Sequence, residues 1–157
     1  MPNEALHPDE SQIVIRQPTP DELAAVRTLR LEELNGDQPL PEPVEPTEAD
    51  KDPHNLHMAA FKGKEVVSAV RVDPRAEPPD THHVSRMVTR HDHRGQGIGA
   101  QVLSAAEQAS TERGATRITL DARQSAIGFY DKAGYAPIPP GEPDAEGHMP
   151  MAKELQS

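Results

Sequence analysis

The sequence predicts a single α/β domain. Three observations carry that expectation: strand-like and helix-like patterns alternate along 157 residues, a glycine-rich turn joins an apolar run to an amphipathic helical pattern, and proline clusters mark loops without separating two halves of different composition. The length suits one domain over residues 1–157 and is enough to bury a real core.

Ser11 to Arg16 alternates as a first strand. Thr19-Pro20-Asp21-Glu22 then supplies an N-cap, a proline at the first helical position and acid in the first turn, so a helix follows to about Leu34. Its positions Leu23, Val26, Leu29 or Arg30, and Leu34 recur at helical spacing, and Asn35-Gly36 stops it. From Gln38 to Pro53 the composition turns to Pro, Glu and Asp, which reads as an acidic surface loop with little to give a core. Leu56 to Phe61 and Val66 to Val72 form a β-hairpin turning at Gly63, ended by Pro74 to Asp80.

His83 to Thr89 is the next strand. Ile98, Val102, Ala105, Ala106 and Ala109 line one face of a long helix closed by Arg113-Gly114. Thr116 to Asp121 is a fifth strand, and Ser125 to Ala133 a short helix ending at Gly134. Tyr135 to Ile138 and His148 to Lys153 form two last strands around a proline-rich turn.

A net charge of -10 and a pI near 5.2 argue against nucleic-acid and anionic-membrane partners, both of which need clustered Lys and Arg. The excess acid favours solubility or a cationic substrate. With no cysteine, a disulfide frame, protein thiol chemistry and a Cys-based zinc site are excluded, and a cytoplasmic setting is expected. The only apolar stretch before Gln17 is Ile13-Val14-Ile15, and no run reaches 18 apolar residues, so neither a secretory leader nor a membrane span is expected. His91-Asp92-His93 offers metal-ligating atoms, but no third ligand stands at a recognised spacing. Arg27 and Arg30 read as surface or structural ion-pair residues.

Arg94-Gly95-Gln96-Gly97-Ile98-Gly99-Ala100 lets bare backbone amides gather around an anion at a helix N-terminus. A nucleoside triphosphate loop would continue into Gly-Lys-Ser or Gly-Lys-Thr, whereas Ala100 and Gln101 follow Gly99. Gly95, Gly97 and Ala100 formally match a dinucleotide fingerprint, with Asp121 near the place of a ribose-binding acid. Against that stand Arg90 to Arg94, which separate the strand from the first glycine, and the short chain remaining for a doubly wound sheet.

Arg94, Gly97 and Gly99 also have the Arg-x-x-Gly-x-Gly spacing, and Phe129-Tyr130 is followed by Gly134-Tyr135. In this order, over about residues 84 to 138, the segments resemble the GNAT superfamily, the Gcn5-related N-acetyltransferases. Leu120-Asp121-Ala122-Arg123-Gln124 and the run from Asp144 to Met151 resemble its ElaA-like branch. Arg123 stands where that branch commonly has Gln, and His91 replaces the usual proline; Arg123 can pair with a phosphate instead.

The resemblance implies a mixed, splayed central sheet flanked by helices. It implies acetyl-CoA as co-substrate without a metal, a primary amine of a small molecule or peptide as acceptor, and the homodimer common in the family. Pantetheine would pair with the backbone of Met87, Val88 and Thr89, with the Val88 amide as oxyanion donor. The pyrophosphate would rest on Arg94, Gly95, Gln96, Gly97, Ile98, Gly99 and Ala100, with Arg123 nearby. Tyr130 would give a proton to the leaving thiolate. Arg86 and His148 would face the acceptor, and His57, His82 and His83 are further candidates for a base. Two other functions compete: a non-catalytic acyl-CoA-binding module, and an NAD-dependent oxidoreductase built on the dinucleotide reading.

Overall fold

The computed structural model describes residues 12–34 and 38–156. Ser11 and the expected helix stop at Asn35-Gly36 lie outside them. Among the described residues, strands β1 (Ile13–Arg16), β2 (Leu56–Lys62), β3 (Glu65–Pro74), β4 (Thr81–Thr89), β5 (Arg117–Ala122), β6 (Ala136–Pro137) and β7 (Met149–Glu154) form one sheet in the order β1-β2-β3-β4-β5-β7-β6. Every neighbouring pair is antiparallel except β4 and β5, which run parallel. The helices are α1 (Leu23–Leu34), α2 (Glu48–Lys51), α3 (Ile98–Glu112) and α4 (Ile127–Lys132). None is long and apolar enough to cross a membrane.

The helix expected from Pro20 opens as a 3₁₀ turn at Pro20–Glu22 capped by Thr19, and α1 continues from it. Glu22 accepts the Thr19 amide at 2.8 Å and, at 2.7 and 2.9 Å, both terminal nitrogens of Arg16, which brings its carboxyl down to about 2. Leu23, Val26, Leu29 and Arg30 of α1 are buried. Leu34, expected on the same stripe, is 52% exposed, because Glu33 is the residue of the last turn that points inward.

Two apolar clusters cover the two faces of the sheet. Val26 and Leu29 pack on Ala59, Phe61, Val66, Ala69 and Val88, while Ile98, Val102, Leu103 and Ala106 of α3 pack on the opposite side with Val70, Val72, Ile118, Leu120 and Met151. Strand alternation therefore sends Arg71, Arg86 and Val88 to the α1 face and Met87 and Thr89 to the α3 face.

The acidic segment departs from its expected role as a loop apart from the core. A Thr47 cap starts α2, accepting the Asp50 amide at 3.1 Å, and α2 delivers Asp50 into the protein at 3% exposure. β4 starts at Thr81, two residues before the expected strand. β6 is only two residues long, since Pro137, Pro139 and Pro140 offer no amide to a ladder.

Candidate active site

The sheet splits beside the glycine turn. β4 pairs with β5 only from Thr81 to Val84, opposite Arg117 to Leu120. Beyond that point β5 keeps β7 as its neighbour, and β4 keeps only β3, so among the described residues the edge of β4 from Ser85 to Thr89 has no strand beside it. A bulge marks the split: Val72 opposes Val84 and Arg71 opposes Arg86, leaving Ser85 extra.

Hydrogen-bond parity decides which residues line this free edge. The Arg90 amide donates to Val67 O at 2.8 Å, and antiparallel pairs alternate between bonding and non-bonding. Counting back two residues, Val88 bonds Ala69, and Met87 and Thr89 turn their amides and carbonyls away from β3. Two contacts agree: Ser68 Oγ donates to Val88 O on the β3 side at 3.0 Å, and Thr89 O accepts Arg94 Nε at 3.1 Å. Val88, expected to donate into the gap, thus has its amide committed to β3, and Met87 supplies the gap-facing amide.

At the turn, Gly95 and Gly97 both take φ +80, a conformation that disfavours a side chain. Gly97 caps α3 without a side chain, and Gln101 is the first amide to bond back, to Gly97 O at 3.1 Å. The amides of Ile98, Gly99 and Ala100 therefore have no intrahelical acceptor and sit at the positive end of the helix. A Cβ on Gly95 or Gly97 meets nothing within 4 Å, so the outer face of the turn is open to a ligand. Gly99 is close-packed: a Cβ there would stand 3.0 Å from Thr89 Oγ1.

Arg94 does not point at this cradle. Its Nη2 is 2.8 Å from Glu33 Oε1, and Glu33 Oε2 lies 3.0 Å from His91 Nδ1. The guanidinium ties the turn to α1 instead. His93 bonds Asp92, and no group of three or more His, Asp or Glu among the described residues could hold a metal. An open depression at the β2–β3 turn carries Lys62, Lys64, Arg90 and His93, but Arg90 pairs with Glu65 and Asp92 there.

Tyr130 sits in α4, edge-on to Phe129 and Tyr135 with ring centroids 5.1 and 5.8 Å away. At 8% exposure it is more buried than Phe129, whose ring reaches Gly99. A short 3₁₀ turn at Gln124–Ala126 precedes α4. Burial pushes the Tyr130 hydroxyl up to about 12, against a weaker opposing pull from Arg123. Arg123 is exposed at the end of β5. His148 precedes β7, its amide bonded to Asp144 at 2.9 Å, and Gln124 ties the two loops by donating to Gly147 O at 2.8 Å.

The α1 face carries charges that the sequence pattern concealed. Asp50 Oδ1 accepts from Arg30 Nη1 and Arg71 Nη1, both at 2.9 Å, and Oδ2 accepts the Thr47 amide at 3.1 Å. Burial alone would raise this carboxyl, but the Thr47 amide and the two guanidiniums hold it well below the usual range. Arg71 also bonds Asp73 and the bulged Ser85. Farther along β4, His83 Nδ1 lies 2.7 Å from Thr119 Oγ1 and Nε2 3.5 Å from Asp121 Oδ2. Burial, assisted by Arg75, lowers the His83 pKa, so the imidazole is neutral at pH 7. His82 faces the other side of the sheet, and His57 is bonded to Asp50 O. The signals available for these groups were an arginine on the apolar stripe of α1 and the Thr47-x-x-Asp50 cap.

An open strand edge thus meets a glycine-opened helix N-terminus. The mostly antiparallel sheet rules out the doubly wound dinucleotide fold. The chain belongs to the acetyltransferase (GNAT) family, whose model matches residues 23–135.

It is similar to the uncharacterized N-acetyltransferase YjcF of Bacillus subtilis (strain 168), with 29% identity over 79 residues covering 50% of this chain and 54% of that protein. The match thus spans about half the length of that curated relative. Among solved structures, a putative N-acetyltransferase from Lactobacillus plantarum is 27% identical, with 92% of this chain and 98% of that chain covered and a TM-score of 0.73. ElaA from Escherichia coli is 19% identical, with 91% and 100% covered and a TM-score of 0.71, a likeness of fold.

Proposed function

We propose that the protein is an acyl-CoA-dependent N-acyltransferase that moves acetyl from acetyl-CoA to a primary amine of a small molecule or peptide by direct attack. The observation that carries this reading is the coincidence of the free β4 edge with the uncapped amides of α3. Met87 and Thr89 offer the main-chain groups that pair with the amides of pantetheine, and Gly95 to Ala100 hold the pyrophosphate. When bound, acetyl-CoA supplies an activated thioester carbonyl. Arg94 shapes the turn through Glu33, and Arg123, exposed at the end of β5, is available to a phosphate.

The Met87 amide donates where negative charge develops on the acyl oxygen. Tyr130, protonated throughout the neutral range, gives its proton to the departing sulfur. The amine loses its proton towards neutral His83, which lies behind the Thr119 hydroxyl on the α1 face, while His148 borders the acceptor side from the β7 loop. The cysteine-free sequence suits a cytoplasmic setting.

Thermal unfolding with acetyl-CoA, coenzyme A, NAD and ATP in parallel tests the coenzyme site. A ligand at 100 times its Kd adds about 2.7 kcal/mol, several degrees in a domain of this size. Selective stabilisation by the two coenzyme A forms, with thiol release in the presence of an amine, supports the enzyme. Stabilisation without release from any amine favours a binding module.

A further inference from the structure

We propose that the acceptor amine also carries a carboxylate, received by Arg86 and Arg30 on the α1 face of the split sheet. This rests on the acyltransferase reading above and names its substrate class. Arg86 directly follows the bulged Ser85 and precedes Met87, the residue whose amide faces the gap. Its side chain lies on the face it shares with Val88, which packs beneath Val26 and Leu29 of α1. It is exposed, and its one hydrogen bond among the described residues goes to the adjacent Ser85 carbonyl at 2.8 Å.

Arg30 approaches the same region from α1. It is 6% exposed, with Nη1 on Asp50, while Nε and Nη2 are buried without a partner among the described residues. Arg86 stands opposite Arg71 across the β3–β4 ladder, and Arg71 shares Asp50 Oδ1 with Arg30, so Arg71 and then Arg86 repel the Arg30 charge, after burial and Asp50 have acted. Buried guanidinium N–H groups without an acceptor are costly, and an anion satisfies them.

The charge balance selects the sign of the ligand. Asp50 and Asp73 offset Arg30 and Arg71 one for one, so Arg86 leaves this group one positive in a chain of net charge -10. A polyamine would meet repulsion here, since Asp50, the acid of α2 nearest the gap residues, is consumed by two arginines. A carboxylate accepts from two guanidiniums through its two oxygens, a geometry that a neutral amide cannot match.

The test compares L-amino acids with their own carboxamides, and with O-phosphoethanolamine, by thiol release from acetyl-CoA. Thermal unfolding in the presence of coenzyme A registers binding without turnover. The carboxamides have the more easily deprotonated amines, so a preference for the acid cannot come from amine basicity. At least one amino acid is expected to exceed its carboxamide about ten- to hundredfold in kcat/KM, chiefly through KM. That ratio collapses towards one in Arg86→Gln and is partly kept in Arg86→Lys.

Equal rates for acid and carboxamide, a preference for the phosphate monoester, or an unchanged ratio in Arg86→Gln each overturn the proposal. Coenzyme A stabilisation with no amino acid bound or turned over better than its carboxamide overturns it too, and leaves the coenzyme site standing. Failure of the underlying reading looks different: no stabilisation by coenzyme A and no thiol release from any amine.

Discussion

Replacing Asp50 with alanine removes the only carboxylate among the described residues that meets both Arg30 and Arg71. Its side chain is 1% exposed, and it takes two guanidinium hydrogen bonds at 2.9 Å and one backbone amide at 3.1 Å. Arg71 retains Asp73 and Ser85, but Arg30 is left buried with no partner. Deleting one member of a buried pair costs about 3–5 kcal/mol, and a domain of this size loses about 2–4 °C in Tm for each kcal/mol. Asp50→Ala is therefore expected to melt roughly 6–20 °C below wild type in calorimetry at pH 7. Arg30→Met/Asp50→Ala is expected to melt above the sum of the two single losses, because the uncompensated charge leaves with the arginine. A loss under about 1 kcal/mol for Asp50→Ala, or strict additivity in the double variant, would refute the buried triad as a coupled unit.

Tyr130→Phe is expected to lower kcat about a hundredfold with little change in the KM for acetyl-CoA; equal loss in both parameters would point to packing instead. Gly97→Ala forces a side chain into φ +80 at a cost of about 1–2 kcal/mol and is expected to raise the KM for acetyl-CoA, read by initial rates. Glu33→Gln weakens the hold on Arg94 and is expected to raise the coenzyme A Kd by calorimetric titration without changing the acceptor KM. Burial lowers the pKa of His57, His82 and His83, so the unfolded chain takes up these protons first. Stability is thus full above the ordinary histidine value of about 6.5 and is lost as pH falls through the depressed values. Asp50, also depressed, extends the loss below about pH 4, which a Tm series from pH 8 to 3 checks.

What the sequence made legible were features whose causes are local. The capped start of α1, the hairpin at Gly63 and the positive-φ turn before α3 are each dictated by residues within a few positions of one another. The Arg30–Asp50–Arg71 triad was hidden because its members come from a helix, an acidic segment and a strand that only the fold brings together. Composition correctly marked residues 38–53 as acidic, yet could not say that one of those acids is a core residue. Choosing Met87 over Val88 required knowing where β3 and β4 exchange hydrogen bonds, and the bulge at Ser85 shifts that register by one residue without a glycine or proline to announce it.

The placement of α1 ties the two halves of the site together. Arg30 and Glu33 are three residues apart and so share a helix face. One ends among the arginines of the α1 face, where the acceptor is proposed to bind, and the other grips Arg94 of the glycine turn. A phosphate seated on the turn that Arg94 holds in place acts on the Glu33 contact, and through it on the last turn of the same helix that carries Arg30. Coenzyme binding and acceptor binding then share one mechanical element. The sign of their coupling is readable from whether coenzyme A sharpens or weakens amino acid binding in wild type and loses that effect in Glu33→Gln. An effect identical in both proteins would mean that α1 is a passive scaffold and that the two ligands meet only across the gap.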